Sequence, residues 1–183
     1  MKSFVLLIVC ILVFCIPEKS QAQDEWQIGM DGAIVRFPKK NIALVGDQYL
    51  FQAPRLNVTK RINERFSING AISFNAIEIT EITRDRNNYF SLDSFLRYSL
   101  IKDSNFLDPY VFVGGSLVGI NINFVLASNF GFGNTFWFLK NLGLNIQGMY
   151  KLSFEVNTSH FQFTTGLVYN LDSGRKNLWD VKR

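Results

Sequence analysis

The sequence predicts an all-β chain that closes into an eight-stranded antiparallel up-and-down transmembrane β-barrel. Three observations predict it. Apolar and polar residues alternate through a series of short segments, the period of a strand rather than a helix. Beyond residue 16 no continuous apolar run approaches the ~20 residues of a spanning helix. The polar positions are mostly Gly, Ser, Asn, Thr and Ala, small enough to share the narrow interior of an eight-stranded barrel.

The N-terminus reads as a secretory signal. Lys2 supplies the positive start, Phe4 to Ile16 is apolar, and Pro17 breaks the run. Ser20-Gln21-Ala22 places small residues for cleavage before Gln23. The 13-residue apolar run from 4 to 16 is too short for a spanning anchor of ~20 residues. Cys10 and Cys15 both fall inside it, so the exported chain carries no disulfide, cysteine nucleophile or cysteine metal site. Val9 and Phe14 precede them, and neither is the small residue that lipidation requires. The expected organisation is a cleaved signal peptide at 1–22, a barrel at 23–171 and a charged tail at 172–183.

The strands follow in order. The first, Trp26 to Arg36, sets Trp26, Ile28, Met30 and Ile34 against Gln27 and Asp31. The second, Gln52 to Lys60, sets Leu56 and Val58 against Arg55, Asn57 and Thr59, with Pro54 weakening its start. The third sets Phe66, Ile68, Ile72 and Phe74 against Ser67, Asn69, Ala71 and Ser73. The fourth sets Phe90, Leu92, Leu96 and Tyr98 against Ser91, Asp93, Arg97 and Ser99. The fifth, Pro109 to Gly119, is apolar on both faces, so its orientation stays open. The sixth, Val125 to Phe138, sets Phe130, Phe132, Phe136 and Phe138 against Asn129, Gly131, Gly133, Thr135 and Trp137. The seventh sets Leu142, Leu144, Ile146, Tyr150 and Leu152 against Asn145, Gln147, Met149 and Lys151. The eighth sets Phe161, Phe163, Leu167 and Tyr169 against His160, Gln162, Thr164 and Asn170.

Alternation alone leaves open which face points inward. A soluble, lipocalin-like barrel buries its apolar face, whereas a membrane barrel turns it outward. The small polar face favours the membrane case. So do aromatic residues near strand ends on the apolar face, Trp26, Tyr98, Tyr150, Phe161 and Tyr169, which suit the two membrane interfaces. Closure satisfies every backbone polar group that lipid cannot. The connections after the second, fourth and sixth strands are short, and those after the first and third are longer, an asymmetry expected of outer-membrane barrels. The net charge of +4 is dispersed and forms no basic stripe, which argues against nucleic acid.

The second half of the chain resembles the transmembrane barrel of the outer membrane protein A family. The resemblance is carried by Gly133-Asn134-Thr135-Phe136-Trp137-Phe138, by Leu142 to Lys151, by Ser159-His160-Phe161-Gln162 with Gly166 to Tyr169, and by Leu107 to Val111 with Gly114-Gly115. The last strand, with Thr164, Gly166, Tyr169 and Leu171, is also similar to the signal read by the outer-membrane assembly machinery. The resemblance implies a monomeric, non-enzymatic barrel in the outer membrane of a Gram-negative cell, with membrane lipid and that machinery as partners and no cofactor. It does not extend to the periplasmic peptidoglycan-binding domain of many members. The tail from Asp172 is expected to be either a free periplasmic end or a truncated junction.

Asp31, Arg55, Asp93, Arg97 and Lys151 all fall on the faces predicted to point inward. Isolated charges are costly there, so a cross-strand ionic network plugging the lumen is expected. The alternative is a narrow, porin-like ion path. Glu78, Glu81, Arg84, Asp85 and Arg86 form a charged loop that would face outside the cell and meet a partner or surface polysaccharide. Ser159, His160 and Glu155 supply the residue types of a lipid A hydrolase. Adjacent strand residues point to opposite faces, however, which separates Ser159 from His160. No metal-ligand spacing or phosphate-binding loop is present.

Overall fold

The computed structural model describes residues 25–38, 49–74, 89–101, 106–120, 123–154 and 159–171. They form β1 (Trp26–Arg36), β2 (Tyr49–Arg61), β3 (Phe66–Phe74), β4 (Tyr89–Ser99), β5 (Leu107–Ile120), β6 (Asn123–Trp137), β7 (Leu142–Ser153) and β8 (His160–Asn170). Each strand pairs antiparallel with the next, and β1 also pairs with β8. The sheet is therefore a closed barrel with no free edge. Its strands run from 9 residues in β3 to 15 in β6, enough for the ~9–11 residues of a tilted membrane-crossing strand. The segments expected to be a signal peptide, a charged loop at 78–86 and a C-terminal tail lie outside the described residues.

Both chain ends of the barrel share one rim with the turns at 62–65 and 138–141 and with Leu100, Ile101 and Phe106. The first of these turns is closed by its own side chain, because Asn63 Oδ1 accepts from the backbone N–H of Arg65 (2.9 Å) and Phe66 (2.7 Å). We call this rim the turn side, and the opposite one the loop side.

The apolar faces point outward. Phe130, Phe132 and Leu167 expose 52%, 69% and 53% of their surface, whereas Asn145 and Gln162 expose 4% and 0%. This is the reverse of a soluble barrel. The strand-end aromatics sit at both rims: Trp26, Tyr98 and Tyr169 on the turn side, Tyr150 paired with Phe161 toward the loop side. Cations accompany two of them. The Lys60 ammonium lies 5.1 Å from the centre of the Trp26 ring, and Arg65 Nη1 donates to Tyr98 Oη at 2.9 Å.

β2 departs from simple alternation. Asp31 faces Arg55, but the next inward residue of β1, Ala33, faces Gln52. The extra residue is a β-bulge at Ala53-Pro54, and it lets Gln52 and Arg55 both point inward. Pro54 has no N–H to give the ladder, and a bulge accommodates it, so the strand begins at Tyr49, ahead of the Gln52 start expected from the pattern.

β5, whose orientation the sequence leaves open, turns Tyr110, Phe112, Ser116 and Val118 inward and Val111 and Val113 outward. The interior is thus less uniformly small and polar than expected. Phe95, Tyr110, Phe112 and Met149 form an apolar cluster inside the barrel, and Val35, Phe37 and Val118 form a second one near the loop side. Glycines on neighbouring strands make room for the rings. Phe95 lies opposite Gly114, and Phe112 opposite Gly131. A Cβ on Gly131 would stand 2.7 Å from the Phe112 ring and 2.2 Å from the Gly148 carbonyl oxygen, so close packing there requires glycine.

Candidate functional site: the side-chain network that fills the lumen

The inward side chains form layers along the barrel axis. The middle layer is ionic and is assembled from β1, β2, β4 and β7. Arg55 Nη1 donates to Asp31 Oδ2 at 2.9 Å, across the register pair that joins β1 to β2. Arg55 Nη2 reaches Asp93 Oδ2 at 3.4 Å, and Lys151 Nζ donates to Asp93 Oδ1 at 2.7 Å. None of these four side chains has any exposed surface. β2, β4 and β7 are not neighbours in the barrel, so the two contacts to Asp93 run across the lumen rather than along its wall.

Neutral partners complete this layer. Asn57 Nδ2 donates to Asp31 at 2.8 Å. The Ser116 hydroxyl donates to Asp93 Oδ1, and Asn129 donates to Ser116. Ser91 Oγ accepts from Lys151 at 3.2 Å and bonds Ser73 at 2.7 Å. Two carboxylates and two cations are therefore matched and hydrogen-bonded, the condition under which burying charge is tolerable.

Arg97 stands apart from that layer. Its acceptors are neutral: Thr59 Oγ1 at 3.4 Å and Gln147 Oε1 at 3.2 Å. Its guanidinium lies 4.5 Å from the centre of the Tyr110 ring, a cation–π arrangement. Tyr110 Oη donates to Asn145 Oδ1 at 2.7 Å and to Gln147 Oε1 at 3.0 Å. The five charged residues singled out in the sequence are thus divided by the structure: Asp31, Arg55, Asp93 and Lys151 form one ion-paired chain, and Arg97 belongs to a separate layer nearer the turn side.

On the loop side, His160 is buried with its ring 4.7 Å from that of Phe37. Ser159 Oγ accepts from the Ser153 N–H at 3.1 Å. Glu155 lies outside the described residues, as do Glu78, Glu81, Arg84, Asp85 and Arg86. Among the described residues no group of three or more His, Cys, Asp or Glu side chains is placed to hold a metal.

The sequence pattern placed Met149 on the inward face but missed Phe95, an apolar residue on the polar face of β4, and left Tyr110 and Phe112 unassigned because both faces of β5 read as apolar. The signal was present in the pairing of each ring with a glycine across the ladder, Phe95 with Gly114, Phe112 with Gly131 and Tyr110 with Gly133, but it is visible only once the register is known.

Solved structures share this architecture. The N-terminal β-barrel domain of Pseudomonas aeruginosa OprF aligns with a TM-score of 0.59 at 16% identity, covering 81% of this chain and 98% of that one. This is the fold of the small outer-membrane barrels. OprG, an outer membrane protein from Pseudomonas aeruginosa, aligns with a TM-score of 0.57 at 11% identity, covering 80% of this chain and 95% of that one. Neisserial surface protein A (NspA) aligns with a TM-score of 0.53 at 17% identity, covering 79% and 96%. No protein-family model matches the chain, and no curated protein matches it by sequence. The outer-membrane barrel fold accords with the resemblance read from Pro109 to Leu171.

Proposed function

We propose that the chain is an integral outer-membrane protein, exported through its N-terminal signal, whose barrel has a structural or surface-interaction role in the envelope. The observation that carries this reading is the bridging of β2, β4 and β7 through Asp93 inside an outward-apolar barrel. Side chains that meet across the lumen brace the wall and close the axis. A rigid, closed barrel is a scaffold for loops rather than a conduit. In this reading the loop carrying Glu78, Glu81, Arg84, Asp85 and Arg86 faces outside the cell, where it meets a polar partner. The barrel is non-enzymatic and monomeric, and it enters the membrane through the outer-membrane assembly machinery.

Cell fractionation with a heat-modifiability assay tests the reading. The expected result is protein in the outer-membrane fraction that changes its gel mobility on boiling. Protein that stays in solution without detergent would instead mark a soluble ligand-binding barrel. Planar bilayers separate a scaffold from a porin-like channel. The scaffold gives no steady conductance, whereas steady channels that vanish when Arg97 or Lys151 is altered would assign diffusion. Lipid A hydrolysis lost in His160→Ala would assign catalysis.

A further inference from the structure

The outward face near the loop side carries one charge. Arg36, the last residue of β1, is exposed and points away from the lumen. It is the only charged side chain that the described residues turn outward in that half of the barrel. The ladder sets Tyr49 of β2 on one side of it and Phe161 of β8 on the other, and Phe161 in turn faces Tyr150 of β7. Among the described residues, neither the Arg36 guanidinium nor the Tyr49 hydroxyl has a hydrogen-bond or ion-pair partner.

A cation on a hydrocarbon-facing wall is costly at the bilayer centre and tolerated near the interface, where a long side chain reaches the headgroups. β1 ends at Arg36, and the tyrosines of the same row suit that interface. A planar guanidinium there is matched by a headgroup phosphate, which it binds in bidentate fashion. The exposed Tyr49 hydroxyl offers a further donor. Two residues deeper along the same faces, Ile34 lies between Phe51 and Phe163, all three exposed and apolar. A molecule held here meets charge at the rim and hydrocarbon-like surface beneath it, which fits a lipid rather than a free anion.

We propose that Arg36 and Tyr49 hold the phosphate of an outer-leaflet glycolipid of the lipid A type, with an acyl chain lying along Ile34, Phe51 and Phe163. The site rests on the outer-membrane reading with the loops outside, which puts this rim in the outer leaflet. The test uses the full chain folded in detergent, its folded state checked by heat modifiability, and native mass spectrometry with diphosphoryl lipid A as the probe. The expected result is a retained adduct that Arg36→Gln weakens by about fivefold, the scale of one basic residue at an anionic lipid surface, and that Arg36→Lys largely keeps. Equal adducts from the wild type and Arg36→Gln would overturn the proposal, as would equal retention of lipid A stripped of its phosphates. Phosphatidylglycerol retained as well as lipid A would assign a phospholipid instead, and displacement of lipid A by inorganic phosphate would assign a free anion; either outcome overturns the glycolipid site. Should Arg36→Gln fail to fold, the contrast between phosphorylated and stripped lipid A on the wild type decides. A chain that stays in solution without detergent sinks the outer-membrane reading itself, whereas a folded barrel indifferent to the Arg36 change sinks only this site.

Discussion

Lys151 Nζ lies 2.7 Å from Asp93 Oδ1, although 58 residues separate them in the chain. The pair joins β7 to β4 across the lumen, and Arg55 reaches the same carboxylate from β2. Asp93 is the hub of the interior. Its loss strands Lys151 and leaves Arg55 with Asp31 alone.

Asp93→Asn is therefore expected to destabilise the barrel by about 3–5 kcal/mol, the range for removing one partner of a buried ion pair. Lys151→Met should cost less, because Asp93 keeps Arg55 and Ser116. Urea unfolding of the refolded protein in vesicles checks the order. A Lys151→Met cost equal to or above that of Asp93→Asn would contradict the hub.

Gly131→Ala drives a methyl group into the Gly148 carbonyl and the Phe112 ring. Overpacking of this kind costs about 1–3 kcal/mol. Gly70→Ala is the control, since nothing lies within 4 Å of a Cβ placed there, and its effect should stay within about 0.5 kcal/mol. Matched unfolding curves for the two variants test whether interior rings depend on facing glycines.

Val113 is 59% exposed on the outer face of β5. If that face meets hydrocarbon, Val113→Arg costs about 2–4 kcal/mol. If it meets water, the substitution is close to neutral, within about 0.5 kcal/mol. Folding yield and unfolding free energy in lipid vesicles read the difference.

The strands were legible in the sequence because the side-chain period is two and one face of each is nearly all apolar. Along β7 and β8 this determined inside from outside residue by residue, from Leu142 to Lys151 and from His160 to Tyr169. Three things were not legible. β5 is apolar on both faces, so its orientation follows only from the register that sets Tyr110 and Phe112 against Gly133 and Gly131. The bulge at Ala53-Pro54 shifts the parity of β2, which local alternation does not reveal. The inward placement of Asp31, Arg55, Asp93, Arg97 and Lys151 could be read from pattern. Their pairing could not, because Arg55–Asp93 and Lys151–Asp93 span strands that are not adjacent. Only the closed geometry puts Arg97 beside Tyr110 and Gln147.

The orientation of the two faces underlies all of these expectations. The chain from Gln23 onward contains no cysteine, so single cysteines at Phe130, Phe132 and Leu167 can each carry a nitroxide label in protein reconstituted into lipid vesicles. Collision rates with oxygen, which concentrates in hydrocarbon, and with a water-soluble nickel chelate then report what each site touches. Labels at all three sites should relax rapidly with oxygen and hardly respond to nickel. Labels immobilised in a packed core, or open to the nickel chelate, would show that these side chains do not face the membrane.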